Sequence, residues 1–368
     1  MRGGVERYIV ELARGIEPRF DVTLWAQDVD MAILSSSIQF VRMPMLRWPS
    51  WIVSFFFAMA TSLFPKTKTV DLVHSHGANC FKQDIVTAHS CHKAWFVLAK
   101  TGVSRFSIRW WVKMINPLHH LTMLTEQIQY RKDNVKLVVA ISNVVKGDLM
   151  RHYRIPEQKI RVVYNGVNCT EFGSDERSAF REEIRVKHGF NKHDTVLLFV
   201  GNEFQRKGLE PLLHAQARLN LASLKLVVVG KGNEMRFRNL ARQLEIEERV
   251  VFAGSTSEVK KYYAASEIFV LPSAYEPFGL VVLEAMASGL PVVCSKNSGV
   301  AELIEDGVDG LLVEQPTVVS SLSNAIERLL DAEIRLAIGK KAREKAECYT
   351  WEKVCREMTG IYEEVMEA

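Results

Sequence analysis

Short apolar runs and amphipathic stretches alternate along the second half of the chain. The runs are TVLLFVGN (195–202), LKLVVVGKG (224–232), RVVFAGS (249–255), EIFVLPS (267–273) and LPVVCS (290–295), rich in Val, Ile and Leu and closing on small or turn-forming residues. Helical patterns such as LEPLLHAQARLN (209–220) and NEMRFRNLARQLEI (233–246) lie between them. Strands that are apolar throughout, rather than at every second position, are buried on both faces. With helical crossovers they predict a doubly wound parallel sheet. Ligands of such sheets sit beyond the carboxyl ends of the strands.

The first half repeats the theme with DVTLWAQ (21–27), DLVHSHG (71–77), DIVTAHS (84–90), KLVVAIS (136–142) and KIRVVYNGV (159–167). It opens on RGGVERYIVELARGI, a Gly turn followed at once by an amphipathic helix, so the expected first strand of this domain is missing from the sequence. Strand residues give way to Asn, Gly, Thr and Ser at NGVNCTEFGS (165–174), which marks the domain switch. The division expected is 1–167 and 168–349, with the last helix (350–368) packing back on the first domain. A chain of 368 residues suits two such domains facing a cleft.

Composition is globular, with 48% hydrophobic and 24% charged residues, which excludes disordered and collagen-like classes. Charge changes the picture more. Up to Asn165 there are 22 Lys+Arg against 12 Asp+Glu, and beyond it 25 against 31, so the front half is the basic one. An anionic membrane surface or phosphorylated acceptor fits that asymmetry; no nucleic-acid motif accompanies it. The six cysteines follow no CxxC or framework spacing and read as reduced structural thiols of a cytoplasmic protein. The run WIVSFFFAMATSLF (51–64) spans roughly 21 Å as a helix, short of the roughly 30 Å of a bilayer core. Arg105, Arg109 and Lys113 interleaved with Trp110 and Trp111 suit the headgroup layer of an anionic membrane, a lid over an acceptor, or a plain surface helix.

The candidate chemistry centres on EPFGLVVLEAMASGLPVV (276–293). Gly279 precedes a helical run, so the N–H groups of 279–282 open from a helix N-terminus, a site for anions. Glu276 lies just outside that terminus and Glu284 about one and a half turns inside it; taken alone, the two read first as a cap and a solvated helix glutamate. Arg206 and Lys207 follow the strand 195–202 and can neutralise a diphosphate. In the front half stand Gly3 and Gly4 at the helix start and His89 at a strand end, the latter with a core histidine as its other reading. A metal cluster from His74, His76, Cys91 and His92 fits no standard spacing, and Asp28–Val29–Asp30 lacks the neighbours of a metal motif.

From Gly3 to about Tyr362 the chain resembles the retaining glycosyltransferases of family 4, of GT-B fold. The E-x7-E element, VGNEFQRKGLEPLLHA upstream and GGVERYIVELARGI at the front carry the likeness. The resemblance implies transfer of a hexose from a nucleotide-diphosphate sugar, UDP favoured with GDP and ADP as alternatives, without a metal or other cofactor. Glu276 would contact the donor sugar, Glu284 the ribose hydroxyls, and Phe278, Gly279, Leu280 and Gly4 the rest of the donor. Arg206 and Lys207 would hold the diphosphate, with Lys231, Gly232 and Ser255 walling the base. Glu276, His89, Arg206 and Lys207 would carry the catalysis. The acceptor implied is a lipid-linked or lipopolysaccharide-core glycan, on an enzyme that is cytoplasmic or peripheral on the inner face of the cytoplasmic membrane. The rivals are a soluble-acceptor phosphorylase or sugar-phosphate synthase, and a nucleotide-sugar binding protein without catalysis.

Overall fold

The structure, a computed structural model, describes residues 3–29, 34–43, 50–63, 70–99, 111, 114–131 and 134–367. The chain divides into two units, one formed by Met1–Asn165 with Trp351–Ala368 and the other by Gly166–Thr350. In the first unit a two-stranded parallel pair, β1 (Thr23–Ala26) and β2 (Gln39–Arg42), accompanies a parallel sheet of β3 (His74–His76), β4 (Ile85–Ala88), β5 (Leu137–Ala140) and β6 (Ile160–Val162), in that order. Both central strands, β4 and β5, are buried along their whole length.

Helix α1 (Gly4–Ile16) turns Tyr8, Leu12, Ala13 and Ile16 inward, the spacing of one helix face. The run at 51–64 becomes α2 (Ser50–Leu63), which packs against the later helix Pro117–Gln129. Phe55 meets Phe81 at 5.5 Å, whereas Phe56 and Met59 lie exposed. Among the described residues no helix is long and apolar enough to cross a membrane. Arg105, Arg109, Trp110 and Lys113 lie outside the described residues, as does Asp30; Trp111 is exposed.

After α2 come α3 (His92–Leu98), α4 (Pro117–Gln129) and α5 (Asn143–Tyr153). Asn116 caps α4 by accepting from Leu118 N, with Pro117 at the first helical position, where its missing N–H costs nothing.

The second unit is one six-stranded, wholly parallel sheet. Its strands are β7 (Thr195–Val200), β8 (Leu224–Val229), β9 (Val250–Gly254), β10 (Ile268–Leu271), β11 (Val292–Ser295) and β12 (Leu311–Val313). Helices α6 (Ser174–Lys187), α7 (Leu209–Leu219), α8 (Glu234–Gln243), α9 (Val259–Ala265), α10 (Leu280–Ala287), α11 (Val319–Arg328) and α12 (Ala332–Ala346) surround it. In space the strands run β12-β11-β10-β7-β8-β9. Order therefore reverses between β7 and β10, the topological switch point at which doubly wound sheets open a crevice beyond their carboxyl ends. Val196–Phe199 and Ile268–Leu271 are almost wholly buried, so the two strands that flank the crevice are also the rigid centre of the core.

The chain closes with α13 (Trp351–Glu367), whose Cys355 Sγ reaches the carbonyl oxygen of Glu11 on α1 at 3.8 Å. β2 and β12, four and three residues long, stand out in neither the pattern of apolar runs nor their turn signals. Of the six cysteines, four are buried, Cys169 is half-buried and Cys348 is exposed rather than in the core.

Candidate functional site

Two loops leave the sheet at its switch point. The loop after β7 carries Arg206 and Lys207; the loop after β10 carries Glu276. The Lys207 chain lies across the α-carbon of Gly201, where a Cβ would collide with its Cδ and stand 3.0 Å from its Cε, so a glycine at the end of β7 sets the path of the lysine. Arg206 ties the loops together: its carbonyl accepts from Ala274 N at 3.1 Å and its Nη1 donates to Tyr275 O at 2.9 Å. Its Nε meets Glu203 Oε2 at 2.9 Å, and Glu203 itself adopts a left-handed backbone (φ 58°) in the same loop.

Glu276 is buried, and its Oε2 lies 2.8 Å from Lys207 Nζ and 3.6 Å from Arg206 Nη1. The lysine contact is a charge contact out of hydrogen-bond alignment, so this buried oxygen accepts no hydrogen bond. In the same loop the buried hydroxyl of Ser273 is likewise unbonded. Buried polar atoms without a hydrogen bond are uncommon, and here two sit in the loop after β10.

A third loop, after β11, braces the second. Glu276 N donates to Asn297 O at 3.3 Å, Gly299 N donates to Glu276 O at 2.9 Å, and the Phe278 carbonyl accepts from Val300 N and Ser298 Oγ at 2.7 and 2.9 Å. Phe278 is thus a buried anchor, and Gly279 behind it turns the chain into α10 with φ 99°. No side chain caps α10 and no acid lies in its first turn. Of the N–H groups of 279–282, that of Val282 is taken by Gly279 O at 2.8 Å. Leu280 is half-buried.

Glu284 is buried, not solvated, and its Oε2 accepts from the Tyr263 hydroxyl at 2.9 Å. Tyr263, wholly buried on α9, is a residue the spacing gave no reason to choose. Lys231 and Gly232 are exposed, and Lys231 N donates to Asn202 Oδ1 at 2.8 Å, joining the loops after β8 and β7. Ser255 is exposed beyond β9.

In the first unit Gly3 precedes α1 in extended geometry and Gly4 begins the helix. His89 follows β4; its Nε2 lies 3.2 Å from His76 Nδ1, and Tyr8 from α1 stands edge-on to its ring at 4.9 Å. Burial lowers His89 to about 4 and His92 to about 4, the latter helped by His119. Burial likewise lowers His74 to about 3 and holds His76 well below its ordinary range. Glu126 on α4, which sequence reasoning passed over, is pushed up to about 7 by burial while accepting from His92 N at 3.0 Å and from the Tyr153 hydroxyl. Among the described residues no group of three or more His, Cys, Asp or Glu is placed to hold a metal ion.

The chain belongs to the glycosyltransferases of GT-B fold. The glycosyltransferase family 4 model matches residues 2–171, and the glycosyl transferases group 1 model matches residues 180–345. The chain is similar to an uncharacterized glycosyltransferase of Methanocaldococcus jannaschii, 34% identical over 62% of this chain and 60% of the relative. It is also similar to the D-inositol 3-phosphate glycosyltransferase of Corynebacterium kroppenstedtii, 32% over 64% and 54%, and to the lipopolysaccharide glucosyltransferase WaaG of Escherichia coli, 29% over 55% of each. The matches thus span little more than half the length of these relatives. Among solved structures, WaaG, a glycosyltransferase involved in lipopolysaccharide biosynthesis, superposes with a TM-score of 0.80 at 21% identity, over 98% of this chain and 96% of that one. Anabaena HepE in complex with UDP-glucose superposes at 0.71 with 20% identity, over 99% and 97%. These two likenesses are of fold.

Gly279→Ala is expected to cost about 1–2 kcal/mol of stability in urea unfolding, the strain of a left-handed non-glycine residue. Its new Cβ would also meet Ser298 Oγ at 3.1 Å. An unchanged midpoint would show that the turn relaxes freely. The half-buried histidines give a second expectation. Their folded-state values lie below those of the unfolded chain, so between about pH 6.5 and 4 the unfolded chain binds more protons and stability falls on acidification. Glu126, raised in the folded state, acts in the opposite sense, one group against four. Thermal melts should therefore move to lower temperature from pH 7 to pH 5, and a flat or rising series would contradict the neutral histidines.

Proposed function

We propose that the protein transfers a hexose from a UDP-sugar to a membrane-associated glycan acceptor, with retention of anomeric configuration. The observation that carries this reading is the convergence of Lys207, Arg206 and Glu276 at the switch point, beside the uncapped start of α10. Two cations face Glu276 there, with Glu203 on the exposed side of Arg206, and lysine has three donors, so Lys207 can keep Glu276 while binding a phosphate oxygen. The diphosphate takes the cations and the helix terminus, and Glu276 is left to accept from hydroxyls of the donor sugar. Glu284 takes the ribose hydroxyls, Phe278, Gly279 and Leu280 shape the donor site, and Gly4 is assigned to donor binding as well. His89 is assigned to a hydroxyl of the transferred sugar.

In the reaction the bond from the anomeric carbon to the diphosphate oxygen breaks, and its electron pair leaves with the diphosphate. The acceptor oxygen bonds to the same carbon from the same face, and its proton passes to the departing diphosphate oxygen. Charge grows on that oxygen as the bond stretches, so fixed cations stabilise the transition state more than the bound donor.

UDP is favoured by the HepE complex with UDP-glucose, a protein of the same fold. A lipopolysaccharide-type acceptor is favoured by the WaaG relative and by the basic front half. The relative that acts on D-inositol 3-phosphate favours the other reading, a soluble phosphorylated acceptor. Cytoplasmic residence, peripheral on the inner face of the membrane, completes the proposal.

Lys207→Ala should lower kcat by about 10²–10³, the cost of removing one preorganised partner of a developing anion, and Glu276→Gln should fall comparably in transfer assays with UDP-glucose. Full activity in both variants would refute the site. A raised melting temperature with UDP-sugars but not with GDP- or ADP-sugars would support the donor, because a ligand selective for the folded state adds about 2.7 kcal/mol at a hundredfold excess over Kd. Co-sedimentation with anionic but not neutral vesicles is expected; absence from both pellets would favour the soluble acceptor.

A further inference from the structure

The parallel register of β3 and β4 pairs His74 with Ile85 and His76 with Thr87. Side chains alternate along a strand, so His74 and His76 share one face of the sheet, with Thr87 beside them and His89 just past the strand end. His74 is held at both nitrogens: Nδ1 lies 2.8 Å from the Tyr362 hydroxyl of α13, and Nε2 lies 2.8 Å from Thr87 Oγ1. Its ring lies 4.3 Å from that of His76, and His76 stacks on His89 at 5.5 Å and 29°. Buried Tyr8 stands edge-on to both, 5.5 Å from His76 and 4.9 Å from His89. The row is locked from three sides, by α1, by α13 and by β4.

We propose that His76 is a positioning residue: through the hydrogen bond between its Nδ1 and His89 Nε2 it fixes the tautomer of His89, and so decides whether His89 Nδ1 donates to or accepts from a sugar hydroxyl. This rests on the assignment of His89 under Proposed function. Two neutral imidazoles that share one hydrogen bond have two arrangements. Either His76 Nδ1–H donates, which leaves the proton of His89 on its Nδ1, or His89 Nε2–H donates, which leaves Nδ1 a lone pair. Burial keeps both rings uncharged, which removes the third arrangement, a shared extra proton. The hydrogen-bonding sense of the outer nitrogen is therefore set by the partner behind it.

The test uses the full chain and His76→Phe, which keeps a ring against His74 and Tyr8, beside His76→Asn, whose amide can replace Nδ1. His76→Phe should lower kcat with UDP-glucose about tenfold, the size of a lost supporting partner, with the donor KM unchanged, and His76→Asn should recover most of it. Ring-nitrogen NMR should show one tautomer of His89 in the wild type and in His76→Asn, and a mixture in His76→Phe. His76→Phe with His89→Ala should be no slower than His89→Ala alone. An unchanged tautomer in His76→Phe, or a loss that adds in full to that of His89→Ala, would overturn the inference while leaving His89 its role. Undiminished transfer by His89→Ala would overturn the role of His89 first, and the inference with it.

Discussion

A carboxylate buried at the reversal of a parallel sheet is the constraint from which the rest of the second unit follows. Taking a carboxylate out of water there costs several kcal/mol that only close opposite charge recovers. Lys207 and Arg206 supply it from the neighbouring loop. Their positions depend in turn on Gly201, over which the lysine passes, and on the Ala274 and Tyr275 backbone groups that hold the arginine. Two cations meet the buried carboxylate beside a helix start, and Glu203 holds Arg206 from the exposed side, so the cluster pairs two cations with two carboxylates.

The first unit uses the opposite device. Its polar row is uncharged, and hydrogen bonds in place of ion pairs satisfy it. Imidazole can do this because either nitrogen can donate, so a chain of rings and hydroxyls can remain neutral where a carboxylate would need a cation. The row includes Tyr362, and Tyr8 beside it stands edge-on to Trp351, both Tyr362 and Trp351 lying on the last helix. This unit therefore completes its interior only with residues that follow the entire second unit in sequence, and its stability is tied to the last residues of the chain.

The parallel strands of the second unit were legible because buried strands need unbroken apolar runs; TVLLFVGN and EIFVLPS could hardly be exposed. Gly279 announced its turn because few other residues take a φ of 99°. The likeness carried by E-x7-E brought Glu276 and Glu284 into view, yet the solvated alternative for Glu284 was open until Tyr263 was seen to bury and bond it. Glu126 and Tyr8 left no trace in the sequence, since one buried acid in a helix and one tyrosine on an apolar face look like many others. His76 was visible only as half of His-Ser-His, whose period of two puts both rings on one side of a strand.

By itself the sequence determined most of the strands and helices, β2 and β12 excepted, that two α/β units are built from them, and which loops carry charge, because each of these depends on neighbours within a few residues. Only the tertiary structure decided strand order, and with it that the loops after β7 and β10 lie side by side; order is settled by which buried faces pack together between segments far apart in sequence, as Leu197 of β7 pairs with Ile268 of β10. The same long-range packing decided that Lys207 meets Glu276 and that His76 stands behind His89, contacts between segments whose separation along the chain carries no local signal.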